Sequence, residues 1–504
     1  MNVKPISQTL ARPTALRRLT WLLLASLLLL SLIGVQPAHA AGTIVVSDTC
    51  SLIDAITAAN TDTATGGCPA GAGADTIELE ADVTYTLTLV NNSSTEQGGD
   101  NGLPKINSDI VINGNGATIA RDPSAPLFRL FEVEETGDLT LNDVTLQGGD
   151  AGASSYVPGA IGSNGNVTLN RTVFTQNRNP VTVSYPGVLM VKHSTLYNNY
   201  GVTGAAIKAY NATISYSTIS NNNGDGISSW TLSLSHSTVS GNTTGVVLFA
   251  DGLIDNSTVS GNEYGITVAN ASGVVVNATI QDSTVTGNPA GGIMITEIPP
   301  IGDASQIALT LKQSLVAGNT GDGSAYEIDN QLGGVIVADN YNLIGTDGNA
   351  NSLGFAPSGT DLVPSEALAD ILDTALQDNG GATLTHALVG NSPALNAIPA
   401  SDCATATDQR DVSRPQGASC DIGAFELVDS TPPVITPNVS GTLGNNDWYT
   451  SDVQVSWTVS DDESAITSTT DCDATTINSD TTGATLTCEA TSYGGTKSVS
   501  RKLR

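Results

Sequence analysis

Residues 236–245 read HSTVSGNTTG and residues 256–265 read NSTVSGNEYG, nearly the same phrase one step of 20 later. Aligning the chain on the Ser of that phrase adds HSTLYNN at Ser194, YSTISNN at Ser217, DSTVTGN at Ser283, QSLVAGN at Ser314, and RTVFTQN with Thr172 in place of the Ser. Successive anchors lie 22, 23, 20, 20, 26 and 31 residues apart. Five residues after each anchor stands an asparagine: Asn177, Asn199, Asn222, Asn242, Asn262, Asn288 and Asn319. Two residues after each stands an apolar side chain: Phe174, Leu196, Ile219, Val239, Val259, Val285 and Val316. Most copies then pass a Gly into a second apolar run, as in GVVLF, GITVA and GGIMI.

A period just above 20 residues, filled with short Val/Ile/Thr runs, belongs to a solenoid whose coils cannot bury their apolar faces alone and so stack. Stacking places like over like at about 4.8 Å, the spacing of parallel strands. A turn asparagine repeated in register can bond its amide to the coils above and below, satisfying backbone that strands do not reach. Longer steps loop outward, as in TEIPPIGDAS (296–305). The dense Leu pattern of leucine-rich repeats and the ~40-residue Trp-Asp blade of a propeller are both missing. The expectation is a parallel β-helix, right-handed by the general crossover preference. The pattern resembles the pectate-lyase-like parallel β-helix repeats.

The first 40 residues stand apart. Arg12, Arg17 and Arg18 precede LTWLLLASLLLLSLIGV, and the stretch closes on AHA at Ala38–Ala40, which reads as a cleavable secretory signal peptide. No later run approaches the ~18 apolar residues of a membrane span. Removing Lys4 and those three arginines from 18 basic residues leaves 14 against 49 acidic ones, a net charge of about −35. That field repels nucleic acid and anionic membranes. In an exported chain the local spacing of Cys50 and Cys68, Cys403 and Cys420, and Cys472 and Cys488 reads as three disulfides, one per module. Zinc would need nearby histidines, and they are absent.

An open stack needs caps. SLIDAITAAN (51–60) predicts a short helix with a Ser51/Asp54 capping box. The surrounding TCSLIDAITAANTD resembles the Cys-Ser-Leu-Arg-Glu-Ala (CSLREA) domain of exported bacterial β-helix proteins, with Ile53 and Asp54 where that family has Arg and Glu. After YNLIGT (341–346), LQDNGGATLTHALVGNSPALNA (376–397) and CATATDQRDVSRPQGASCDIGAFE (403–426) closely resemble the choice-of-anchor Q domain, departing at Asn396 where an Asp is usual. That resemblance implies bacterial origin, export and display at the cell surface. Beyond TPPVITP (431–437), DVQVSWTVS and ATLTCEATS look like paired strands of a short immunoglobulin-like sandwich. The expected organisation is an all-β chain: signal peptide 1–40, N-terminal cap 41–105, parallel β-helix 106–345, choice-of-anchor Q-like segment 346–428, and immunoglobulin-like module 429–504.

Candidate chemistry is sparse. Lys192, Lys208 and Lys312 lack the matching carboxylate pair that a lyase on an acidic glycan needs. Asp251, Asp255 and Asp282 approach the two facing carboxylates of a hydrolase, though nothing marks them as a site. His193 and His236 flank Tyr216 in a varied polar column that continues as Asn256, Asp282 and Gln313, and His386 reads as structural. NNNGDG (221–226) imitates an EF-hand start but puts Leu232 at position twelve. TGDGSAYEID (320–329) and DDE (461–463) are the places for a weakly held calcium. The N-x-S/T sequons follow from the Asn and Ser/Thr columns. No catalytic residue and no required cofactor or metal are assigned. The expected role is display, adhesion or glycan binding by an extracellular monomer, with a polysaccharide lyase or glycoside hydrolase as the rival reading.

Overall fold

The computed structural model describes residues 42–504 except 153–156, 272, 274, 299–302, 321–324, 418, 462 and 465, together with the side chains of 202 and 203. The expected signal peptide lies outside the described residues. No helix among them is long and apolar enough to cross a membrane.

Three β-faces wind around one core. Face one includes Asp75–Glu78, Asp109–Asn113, Asp138–Asn142, Asn166–Asn170, Gly252–Asp255, Val276–Gln281 and Ile307–Lys312. Face two is an eleven-stranded parallel sheet from Thr84–Leu87 to Leu343–Ile344, built on the repeat anchors. Face three includes Phe131–Val133, Ile161–Ser163, Thr244–Leu248, Tyr264–Asn270 and Ile293–Glu297. Faces one and three merge into one nineteen-stranded sheet because Val181–Lys192, Tyr200–Ser215 and Asn223–Ser235 bend around the corner without a break. Every pairing within these two sheets is parallel, so the chain is a parallel β-helix.

The period-2 alternation of each strand sends one set of side chains inward. On face two, Phe174, Leu196, Ile219, Val239, Val259, Val285 and Val316 stand in register, each fully buried. On face one the matching column runs Leu141, Leu169, Val191, Ile214, Leu234, Ile254 and Ile280. The seven asparagines form a continuous ladder between faces two and three. Asn177 donates from both its backbone N–H (3.0 Å) and its Nδ2 (3.1 Å) to Asn199 Oδ1. The same pair of bonds links Asn199 to Asn222, Asn222 to Asn242, Asn242 to Asn262, Asn262 to Asn288 and Asn288 to Asn319. The anchor hydroxyls make a second ladder: Thr172 N–H donates to Ser194 Oγ, and the relay passes through Ser217, Ser237, Ser257 and Ser283 to Ser314.

The glycines after the ladder follow from close approach. A Cβ on Gly226, Gly245 or Gly265 would come within 2.7, 2.7 and 2.4 Å of the next coil's glycine carbonyl, too near for any side chain.

The helix Leu52–Thr61 covers the first coil. The Ser51 side chain accepts from Asp54 N–H at its start, and Cys50–Cys68 closes the unit. The solenoid runs past the expected boundary at 345: Ser352–Leu353 pairs in parallel with Ile328–Asp329, and Leu362 bridges in parallel to Leu343. Residues 371–427 then lie sideways across the outside of face two. There Ile371, Leu372, Leu388, Ile398, Ile422 and Phe425 build a second core on the outward side chains of Leu315, Ala317 and Leu343. Cys403–Cys420 staples this segment. The chain ends in two three-stranded antiparallel sheets, Val434–Ser440/Val453–Ser460/Thr475–Ile477 and Ser468–Thr470/Ala484–Ser492/Gly495–Leu503, with Cys472 bonded to Cys488.

Asn242→Ala removes the acceptor of two Asn222 donors and the donors to Ile219 and Ser240 carbonyls. The expected loss is about 2–4 kcal/mol of stability, read as a lower chemical-denaturation midpoint at unchanged slope. A loss under about 0.5 kcal/mol would deny the ladder its energetic role.

Candidate functional site

The seven ladder asparagines are buried, from 0 to 4 % exposed, so their amides face other coils and not solvent. Their amide-to-amide bonds all run one way, while each Nδ2 also donates back to a carbonyl of the preceding coil. The run ends on Glu327, whose carboxyl oxygens accept from Gly318 N–H, Asn319 N–H and Asn319 Nδ2. The hydroxyl ladder ends similarly: Ser314 N–H donates to Asn342 Oδ1, and Asn342 donates to Asp361 Oδ1. Glu327 therefore terminates a ladder and is not free to hold calcium. The rest of that calcium expectation falls partly on 321–324, outside the described residues, as Asp462 does for 461–463. No cluster of three His, Cys, Asp or Glu able to hold a metal occurs among the described residues.

The varied polar column before each anchor has a backbone cause. Asp143, Arg171, His193, Tyr216, His236, Asn256, Asp282, Gln313 and Tyr341 all have φ between 42° and 56°. The left-handed turn from face one to face two thus imposes one conformation and leaves the side chain free to vary. The His193, Tyr216 and His236 rings stack, with centroids 4.9 and 4.7 Å apart. The Tyr216 hydroxyl donates to Asp411 Oδ1 (3.0 Å), and His236 Nε2 lies 3.7 Å from that same oxygen. The lower column is covered by the later segment: Gln313 donates to Asp402 O and accepts from Ala404 N–H.

Asp255 and Asp282 do not line an open cleft together. Asp282 is 1 % exposed, and burial raises it to about 6 against the opposing pull of the Arg414 charge and the Thr405 hydroxyl. Asp255 is raised by burial and accepts from Gln281 Nε2. Asp251 sits on another part of face one, accepting from Asn277 N–H and Nδ2. Lys192 and Lys312 share face one's outward column with Ser215 and Gln281, while Lys208 is on face three. His386 is buried with Nδ1 2.8 Å from Asp373 O, and burial lowers its pKa. Asp225 of NNNGDG is raised by burial and bonded to Thr244.

The segment 403–426 packs as a charged core. Asp408 pairs with Arg410 at 2.7 Å, and the Arg410 guanidinium lies 3.6 Å over the Phe425 ring. Arg414 Nη1 reaches Glu426 Oε2 at 3.0 Å and Asp421 O at 2.7 Å. Face two meets this segment through its outward hydroxyls. Thr238 donates to Leu384 O, Thr258 donates to Gln409 Oε1, and Thr284 accepts from Ala424 N–H.

Face one and its corner with face three carry exposed groups. A shallow trough of about 450 Å³ runs over face one, lined by Asn211, Thr213, Thr231, Ser233, Asp251 and Asn277 among others. Beside it, at the corner with face three, Tyr185, Tyr210, Trp230 and Phe249 form an aromatic ridge, with ring centroids 5.2, 6.0 and 5.9 Å apart. Sequence reasoning anchored on the Ser and Asn columns did not find the ridge. The signal it left was one aromatic residue per coil at steps of 25, 20 and 19.

A family model described as "Right handed beta helix region" matches residues 130–298, which sets the hand of the solenoid. No curated protein matches the sequence. Among solved structures, "Crystal structure of pectate lyase Pel9A" is similar at 16 % identity, covering 72 % of this chain and 93 % of that one, with a TM-score of 0.39. The "Azotobacter vinelandii Mannuronan C-5 epimerase AlgE4 A-module" is similar at 14 % identity, covering 66 % and 98 %, with a TM-score of 0.36. The class is thus a right-handed parallel β-helix protein, and these likenesses are of fold.

Arg414→Met leaves Glu426 buried without its cation and should cost about 3–5 kcal/mol. Protease cuts within 400–427 should then appear under conditions the unaltered protein survives; an unchanged digestion pattern would contradict this. A second expectation concerns pH. Burial pushes Glu327 up to about 7, and burial followed by the Glu426 charge pushes Asp421 up to about 7. With Asp282 these are acids whose folded values exceed their unfolded ones. Their contribution is complete below about pH 4 and fades as pH rises through 6 to 7. The thermal midpoint should fall between pH 5 and pH 8, and Glu327→Gln, which keeps an acceptor oxygen, should make the fall shallower. A midpoint that climbs over this range would refute it.

Proposed function

We propose that this chain is exported, displayed outside a bacterial cell, and binds extracellular polysaccharide in the trough over face one. The observation that carries the reading is the trough itself: amide and hydroxyl groups of successive coils, repeated along the rod and left open. A polymer with a regular step is the ligand that such a surface fits. A single small molecule would use one coil and ignore the rest. Export rests on the basic and apolar N-terminal stretch ending AHA, and on three disulfides, which persist in oxidising surroundings. The proposed N-terminal CSLREA-like cap rests on its quoted motif, and surface display rests on the choice-of-anchor Q-like segment. The two terminal antiparallel sheets support an immunoglobulin-like module that spaces the rod from its attachment. The protein acts as a monomer in this reading.

Affinity gels cast with plant, algal and bacterial polysaccharides test it. At least one should retard the secreted protein, and Asn211→Ala with Ser233→Ala should weaken retardation about 3- to 10-fold without moving the thermal midpoint. Retardation by no polysaccharide would remove the proposal. New reducing ends or unsaturated sugars would replace binding with the lyase or hydrolase reading.

A further inference from the structure

Tyr185, Tyr210, Trp230 and Phe249 occupy consecutive coils, and none belongs to the buried core. Tyr185 is 70 % and Tyr210 38 % exposed, while Trp230 and Phe249 are half-buried. One exposed aromatic residue is ordinary; four in one column make a continuous apolar strip, and such a strip marks a contact surface. The column is aligned by the sheet. Ala209 pairs with Ser229 and Asn211 with Thr231, which sets Tyr210 over Trp230, and Phe249 N–H donates to Ser229 O. It stops where Ala269, 1 % exposed, takes the next position.

Three of the four rings, all but Tyr185, lie close in sequence to a hydrogen-bonding group of the trough. Asn211 follows Tyr210, Thr231 follows Trp230, and Asp251 lies two residues beyond Phe249. From Tyr210 to Phe249 the surface therefore repeats an apolar ring and a polar group once per coil. A matching ligand advances by about one coil per unit, offers an apolar face to each ring and offers hydroxyls to the trough. Pyranose chains have that chemistry: axial C–H groups on one face and a rim of hydroxyls.

Charge selects among them. The chain carries a formal net charge of −31, and Asp251 lies at the strip's lower edge. The nearest cation on the strands bearing the rings, Lys208, already has a partner. A polyuronate or sulfated glycan would meet repulsion without a compensating guanidinium. We infer that the ridge binds an uncharged polysaccharide laid parallel to the rod axis, with one sugar against each of the four rings. This rests on the polysaccharide-binding reading above and narrows it to a ligand class and a direction.

The test titrates the secreted protein with neutral β-1,4-linked gluco-, manno- and xylo-oligosaccharides of increasing length, and with oligogalacturonate and oligomannuronate. Affinity for at least one neutral series should climb until four sugars are present and then level off, and the uronates should bind about tenfold more weakly. The Tyr185→Ala/Tyr210→Ala pair, both solvent-exposed, should lose about tenfold in affinity at an unchanged thermal midpoint. In a Trp448→Phe/Trp457→Phe background, the emission of Trp230 should shift on saturation. Equal or tighter binding of uronates overturns the inference. So does undiminished neutral binding by the tyrosine pair variant while Asn211→Ala weakens it, an outcome that leaves the trough reading standing. Binding of no glycan by any variant removes both.

Discussion

The hydrogen bonds that run along the rod are directional, and this one constraint shapes much of the rest. From Asn177 to Asn319 every bond between the asparagines runs toward the C-terminal coil, while each amide also donates to a backbone carbonyl of the coil before it. The hydroxyl ladder from Thr172 to Ser314 runs the same way. Aligned donors polarise one another, so each added coil strengthens its neighbours. The arrangement also accumulates a demand: the last donors need an acceptor beyond the repeat. The oxygens of a carboxyl group meet that demand, and each ladder ends on one, Glu327 and Asp361. Neither acid is a candidate ligand group once this is seen. Both are the stopping points of the repeat.

The same directionality explains where sequence is free to change. Between faces two and three the asparagine is held by the coils above and below and persists in all seven copies, and the close approach of the next coil keeps Gly226, Gly245, Gly265 and Gly292. Between faces one and two the backbone turns left-handed by itself, and the residue there ranges from Asp to Arg, His and Tyr. Asn and Asp adopt that conformation most readily. The His193–Tyr216–His236 stack is then what three flat side chains do when the backbone places them one above another. Its bond to Asp411 helps fasten the later segment.

The fold was legible because the period carried both an apolar and an amide column, and two columns in phase define a stack. The disulfide partners lie 18, 17 and 16 residues apart, close enough for local pairing to be read from spacing. The sideways docking of 371–427 was not legible. Its contacts join Thr238 to Leu384 and Thr258 to Gln409, pairs separated by 146 and 151 residues with no shared periodicity. The charged motif DQRDVSRPQ looked like a signature and proved to be a core, in which Arg410 and Arg414 neutralise Asp408 and Glu426. The ridge escaped for a different reason. Its rings sit at a corner where a bulge shifts the register between Val183 and Val188, so Tyr185 falls out of step with any fixed offset from the anchors.

The distribution of covering follows from these pieces. Face two spans eleven strands, about 50 Å at parallel-strand spacing. Its lower outward hydroxyls are occupied by the chain's own segment. The helix Leu52–Thr61 lies over the first coil. Face one keeps its outward groups open and sits beside the only corner among the described residues where aromatic side chains stack over four coils. Hydroxyls on one side of the rod are bonded to an overlying segment, while those over face one and the rings at its corner stay in contact with solvent. The repeat supplies the step, the corner supplies the rings, and the latch on face two leaves that corner as the place where both remain in contact with solvent.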